Sequence, residues 1–321
     1  MGFAGTLGLV LVANIAEGRD RWTLGLVRFL FVFNLSLGLA GAFALLAGGF
    51  GVLLPNLDVS FSTGGAVLLV TSVVGFLCLS PAVRMRLSPV MSIRPESPVH
   101  LTALILSCYL VSWVLLTLSL VGGLQGLQAS AESVSVFGYV IQALGLLLTS
   151  LLGVGLFTRR RWVQVVDRLG LSSFRWRSLL VAPLAIVLLV SINLVVSVIW
   201  VVLDPGQADA VRQISDAVLR DFDSVGTIFL LAALSSVSEE ILFRGALQPR
   251  LGIPFTSLLF AATHLQYAIS PATLVVFIIG LVLGALRRYL DTWAALLTHF
   301  GYNFGLLLLG LVASRLLEMA G

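Results

Sequence analysis

The chain has 321 residues, of which 59% are hydrophobic and 11% charged, and its mean hydropathy is +1.07. Soluble domains carry about 25% charged residues, so a water-soluble protein is excluded and an all-α polytopic membrane protein is expected. The net charge of +4 comes from 19 basic residues, all of them arginine; basic loops of membrane proteins face the cytoplasm, and no nucleic-acid partner is expected.

At the N-terminus, MGFAGT fits the loose myristoylation pattern, although a polytopic chain needs no lipid anchor. No basic region precedes the apolar run 3–15, so no cleavable signal peptide is expected, and that run is too short to span. Apolar runs near the ~20 residues that cross a bilayer follow at 29–54, 63–83, 101–124, 134–157, 178–203, 225–248, 255–270, 271–287 and 292–314. They predict about nine transmembrane helices, eight to nine given the short seventh run. Residues 1–177 form an N-terminal region of about four helices with an arginine-rich loop, and 178–321 a core that carries the chemistry.

Loop charges test this count. The stretch RRRWVQVVDRLGLSSFRWR places six arginines between the fourth and fifth spans, a segment suited to anionic headgroups. With the N-terminus inside, 16 of the 19 arginines fall on the cytoplasmic side, and only Arg212, Arg220 and Arg315 fall outside. A re-entrant seventh segment would turn Arg287 and Arg288 outward, so it is taken as a span. Residues 204–224 are acidic, and Val211, Ile214, Val218 and Phe222 recur at helical spacing. They predict either an amphipathic helix on the outer surface or a plain solvated helix. Cys78 and Cys108 sit in apolar runs and read as buried thiols without a disulfide framework. Trp113, Trp200 and Trp293 read as packing or interface anchors, and His100, at a helix start, as structural.

The chemistry concentrates in three of the spans. SSVSEEILFRGALQPRL (235–251) puts Glu239, Glu240 and Arg244 inside an apolar run, where each charge costs roughly 2.5–3.5 kcal/mol at mid-membrane. Glu240 and Arg244 are four residues apart and can pair on one helix face; Glu239 points about 100° away. His264 lies in the seventh run, and His299 and Asn303 share a face of the ninth. Counted from Arg250, the turn at 252–254 and Asp291, Glu239, His264 and His299 all lie roughly 12–16 Å from the cytoplasmic end. Ser235, Ser236, Ser238, Gly245, Ala261, Ala262 and Gly301 would let these helices approach closely.

SEEILFRG, FAATH (260–264) and HFGYN (299–303) resemble, in order, the EExxxR, FxxxH and HxxxN motifs of the CPBP (Abi) intramembrane proteases, the family that includes the type II CAAX prenyl endopeptidases. The resemblance covers about 178–315; the first four spans carry none. It implies a glutamate-type intramembrane endopeptidase. Glu239 would act as general base on a water that His264 holds and polarises, His299 and Asn303 would stabilise the oxyanion, and Glu240 with Arg244 would form a structural ion pair that aims Glu239. The physics agrees: a carboxylate in an apolar site is a stronger base, and neutral donors stabilise an oxyanion where water is scarce. No GxSxG supports a serine route. No cofactor is predicted, although Glu239 with two histidines leaves a His2Glu zinc site open; HExxH is absent and asparagine is a poor zinc ligand.

The expected partners are the lipid bilayer and a membrane protein or lipidated peptide substrate, a prenylated CAAX protein being one option of the family. The alternatives are a non-catalytic binding, immunity or regulatory protein on the same scaffold, and a proton-coupled transporter, for which no inverted repeat with broken helices is evident. The absence of lysine points to a GC-rich prokaryote, and hence to its plasma (inner) membrane with the N-terminus cytoplasmic.

Overall fold

The computed structural model describes residues 3–17, 21–49 and 59–320. The MGFAGT pattern rests on Gly2, and that residue, Arg19 and residues 50–54 of the first expected span lie outside them. Helices α1 (Phe3–Ala16), α2 (Arg21–Gly49), α3 (Val59–Leu79), α4 (Pro81–Leu87), α5 (Pro98–Leu120), α6 (Gly123–Ala129), α7 (Val136–Gly153) and α8 (Trp162–Arg168) form the N-terminal part. The remainder comprises α9 (Arg177–Leu203), α10 (Pro205–Val218), α11 (Val225–Glu240), α12 (Gln248–Leu251), α13 (Ile253–Ala262), α14 (Pro271–Tyr289) and α15 (Thr292–Ala320). No strand occurs among the described residues beyond an isolated bridge between Leu156 and Arg160. The protein is an all-α polytopic integral membrane protein.

Among the described residues seven helices are long and apolar enough to cross a bilayer, and an eighth if α3 and α4, bent by 92°, count as one span. The bend falls at Pro81, and Arg84 folds back beneath it. Its Nη1 donates to the carbonyls of Cys78 and Leu79 at 2.6 and 2.7 Å, filling acceptors that the end of α3 leaves open. The shortfall from nine is the run 255–270. Its only α-helix is the ten-residue α13, which begins before the run at Ile253 and covers just 255–262 of it; ten residues give about 15 Å of rise against a ~30 Å hydrocarbon layer. The apolar count falls from six of eight residues at 255–262 to four of eight at 263–270, and only the join to the apolar 271–287 makes the run read as a span.

α13 and α14 nevertheless form a hairpin that returns to its starting side. Gly280 lies so close to Ser257 that a Cβ would stand 3.1 Å from its Cα, and Gly284 faces Ile253 at 2.7 Å. Gln248 Nε2 donates to Gly284 O at 2.8 Å and ties α12 to the same level. Arg287 therefore comes back beside Arg250 and the loop after α7, and both arginines act electrostatically on Arg168. The expected grouping of arginines on one face holds for these. Asp291 anchors that face: it accepts from Ala294 N (2.7 Å), Ser178 Oγ (2.9 Å) and Arg175 N (2.8 Å), and so caps α15 while pinning the loop before α9.

α1 also ends at the arginine side, where Asn14 Nδ2 donates to Leu152 O at 2.9 Å and Arg159 donates to Asn14 Oδ1 at 2.8 Å. Fourteen helical residues place Phe3 about 20 Å back from that end.

On the opposite side lies α10. Asp204 caps it by accepting from Gln207 N at 2.9 Å. Its apolar face is not given to lipid: Val211 and Ile214, like Phe222 beyond the helix, are buried, and the helix packs against α6, α9 and the 3-10 turn Leu265–Tyr267. Of the two expectations for 204–224, an amphipathic helix is found, covering the protein end rather than lying as a solvated rod.

Candidate active site

The span that begins at α11 is started by a capping box. Ser224 Oγ accepts from Thr227 N, and Thr227 Oγ1 accepts from Ser224 N at 3.1 Å. It runs regularly to Glu240, then winds as a π-helix from Ile241 to Leu247 before α12 completes it. Such wide turns cluster at functional sites. The sequence expectation assumed an unbroken α-helix here; apolar patterning carries no mark of the change.

The two glutamates are treated differently. Glu240 is fully buried, and both of its oxygens face a partner. Arg244 Nε stands 3.1 Å from Oε2, too poorly aligned for a hydrogen bond, and His299 Nδ1 lies 2.9 Å from Oε1. Arg244, equally buried, lays its guanidinium over the Phe260 ring at 4.7 Å, a favourable cation–π placement. Glu239 is only half-buried. Its Oε2 is enclosed yet has no hydrogen-bond partner. Leaving a buried acceptor unpaired costs about 1–3 kcal/mol; Glu240 Oε2 also lacks a hydrogen bond but has Arg244 at ion-pair distance, whereas Glu239 has no ion pair among the described residues. Tyr139, Tyr267 and Arg244 lie within electrostatic reach of Glu239.

His264 is not on a helix, as expected from its run, but just past the end of α13, at φ −93° and ψ 59°. Its Nδ1 lies 2.9 Å from Phe260 O. A carbonyl only accepts, so Nδ1 carries the proton and Nε2 presents a lone pair. The ring stacks on Tyr267 at 6.0 Å and touches Phe260 at 4.9 Å. His299 meets the same Phe260 edge-on at 5.7 Å. Phe260 therefore joins Arg244, His264 and His299, bringing three separate chain segments to one level. Asn303 Nδ2 donates to Ser235 Oγ at 3.1 Å, which links α15 to α11 one turn from Glu239.

All six sequence-predicted residues thus lie in one neighbourhood, with two shifts of partner. His299 is bonded to Glu240, and Asn303 to Ser235. Phe260, Ser235, Tyr139 and Tyr267 were not singled out as site residues. Phe260 was visible only as the first letter of FxxxH, and Ser235 as the residue four before Glu239 on its helix face. The small residues Gly245 and Gly301 do sit in close contacts, but with the end of α8 and with α9 rather than between the three site spans: a Cβ would stand 2.9 Å from Leu169 Cδ2 and 2.4 Å from Ile186 Cδ1. His100 is a buried structural histidine whose Nδ1 accepts from Arg94 N at 2.7 Å. Among the described residues no three His, Cys, Asp or Glu side chains converge as a metal-binding set.

Residues 221–305 match the family model of Rce1-like proteins, described as type II CAAX prenyl endopeptidase Rce1-like. This segment is thus similar to the CPBP/CAAX protease family. The Rce1-like match begins just before α11 and ends within α15, so it contains Glu239, Glu240, Arg244, His264, His299 and Asn303, and it leaves α1 to α10 outside. No curated protein and no solved structure gives a match.

Proposed function

We propose that the protein is a glutamate-type intramembrane endopeptidase acting on a membrane protein or lipidated peptide, with a prenylated CAAX protein as the option the family suggests. One observation supports the reading: of two adjacent glutamates, Glu240 has Arg244 and His299 within 3.1 and 2.9 Å, while Glu239 has no ion pair among the described residues and an enclosed oxygen without a hydrogen bond. Glu239 takes a proton from water as general base, and the lone pair on His264 Nε2 accepts the water's other hydrogen and orients it. Glu240, Arg244 and Phe260 fix the backbone that aims Glu239. Asn303 has a second amide N–H for the oxyanion. With Nδ1 already donating to Glu240, His299 contributes a donor there only when Nε2 also carries a proton. The arginine-bearing face is taken as cytoplasmic, by the positive-inside bias, in the plasma membrane of a prokaryote.

The test is cleavage of membrane-peptide and farnesylated reporters by purified protein in liposomes, with and without a chelator. Wild type should cleave and Glu239→Gln and His264→Ala should not, with the chelator without effect. Equal cleavage by all three proteins would place the chemistry elsewhere; chelator-sensitive cleavage would replace the water-activating glutamate by a metal. Folded proteins that cleave no reporter would favour the binding role on the same scaffold.

A further inference from the structure

A cavity of about 710 Å³ lies between α1, α5 and α7 on one wall and the π-helical turn with α13 on the other. Its volume falls in the roughly 300–1,000 Å³ range of small-molecule sites. Five arginines line its mouth, Arg94, Arg159, Arg160, Arg168 and Arg250, against a single carboxylate, Glu17. Glu17 is already engaged by Arg94 and lies 3.8 Å from Arg159. Arg168, Arg160 and Arg250 have no carboxylate within ion-pair distance among the described residues: Arg168 Nη1 reaches Gly245 O at 3.1 Å, and Arg160 reaches Val154 O. Burial, and then the charges of Arg250, Arg160, Arg287 and Arg159, push the Arg168 guanidinium down to about 10. Arg94 is exposed, but the other four at the mouth are half-buried charges of one sign, which a counter-charge stabilises. Beyond the mouth the lining turns apolar, through Leu106, Leu110 and Ile141 to Trp113. From His100 at the mouth to Trp113, α5 rises about 20 Å.

We propose that this cavity holds one anionic phospholipid, its headgroup phosphate on the arginines and an acyl chain along α5 and α7. Basic pockets between transmembrane helices recognise anionic headgroups in this way. An inorganic anion would satisfy the mouth but leave the apolar body unfilled. Leu242, Phe243 and Ala246 of the π-helical turn, and Thr263 next to His264, form part of the lining, so the bound lipid braces the segment that carries Arg244. The proposal does not depend on the peptidase reading.

Native mass spectrometry of the full chain in a neutral detergent tests it, with phosphatidylglycerol, phosphatidylcholine of the same chains, and glycerol phosphate as probes. One phosphatidylglycerol per chain should be retained at least tenfold more tightly than phosphatidylcholine, and glycerol phosphate should not be retained. Arg160→Gln with Arg250→Gln should cut that retention at least tenfold. Ala103→Phe, which fills the cavity without changing charge, should do the same, while Arg86→Gln, an exposed arginine outside the cavity, should leave it unchanged. Equal retention of the two lipids overturns the proposal even if no variant folds. Retention of glycerol phosphate as tightly as phosphatidylglycerol overturns it in favour of a free-anion site, and equal losses from Arg86→Gln in favour of a diffuse surface charge.

Discussion

The α2–α3 pair and the α11–α15 core are both helix packings in an apolar solvent, yet they are held in different ways. α2 and α3 meet through small residues: a Cβ on Gly65 would stand 2.9 Å from the backbone N of Leu46, and one on Gly75 2.5 Å from Leu35 Cδ2. Lipid offers apolar side chains no hydrophobic gain from meeting, so close backbone contact is what associates such helices. The core also uses small residues but adds a buried Arg244–Glu240–His299 chain and the hub of Phe260. The lesson is that one region is shaped for packing alone, while the other accepts buried charge, which the proposed chemistry uses.

That contrast can be broken at several strengths. The largest effect belongs to Glu239→Gln, which should lower cleavage about 10²- to 10⁴-fold, the share of a general base, while the unfolding midpoint stays within that of wild type; a folded Gln variant that cleaves normally would remove Glu239 from the chemistry. Arg244→Leu should destabilise by about 3–5 kcal/mol, because it strands the Glu240 charge, as read in a denaturant titration in mixed micelles. Replacing Glu240 as well, in Arg244→Leu with Glu240→Leu, should recover much of that stability without restoring cleavage; a double variant no more stable than the single would mean that the pair does not behave as a unit. Gly65→Leu in the α2–α3 contact should cost about 1–3 kcal/mol from overpacking and leave the cleavage rate per folded molecule unchanged. Gly8→Ala, where a Cβ meets nothing within 4 Å, should stabilise by at most about 1 kcal/mol through helix propensity and mark the floor of the scale.

Much of this was legible in the sequence, for reasons that differ by residue. Charges are so costly in an apolar run that Glu239, Glu240 and Arg244 announce themselves, and the shared depth of His264 and His299 follows from counting residues at a fixed rise. Spans are legible from length and apolarity. What stayed hidden was decided by contacts rather than composition. The end of α13 at Ala262 falls where the run turns more polar without any breaker residue to mark a stop. The π-helical turn changes the number of residues per turn without changing their type. The His299–Glu240 and Asn303–Ser235 bonds depend on which helices are neighbours, and periodicity does not report that. The burial of Val211 and Ile214 against the protein, rather than against lipid, is of the same kind.

The early end of α13 has a further consequence. Between Ala262 and Pro271 the backbone carries only a 3-10 turn, and carbonyls and amides released at membrane depth are tolerated only inside protein or beside a wet cavity. Hydrolysis consumes water, and a bilayer interior holds almost none. The interruption that shortens this helix therefore bears on supply: where the chain turns at His264, short turn bonds such as Tyr267 N to His264 O at 3.1 Å replace the helical ladder and leave polar backbone beside that ring, the kind of surface that water wets.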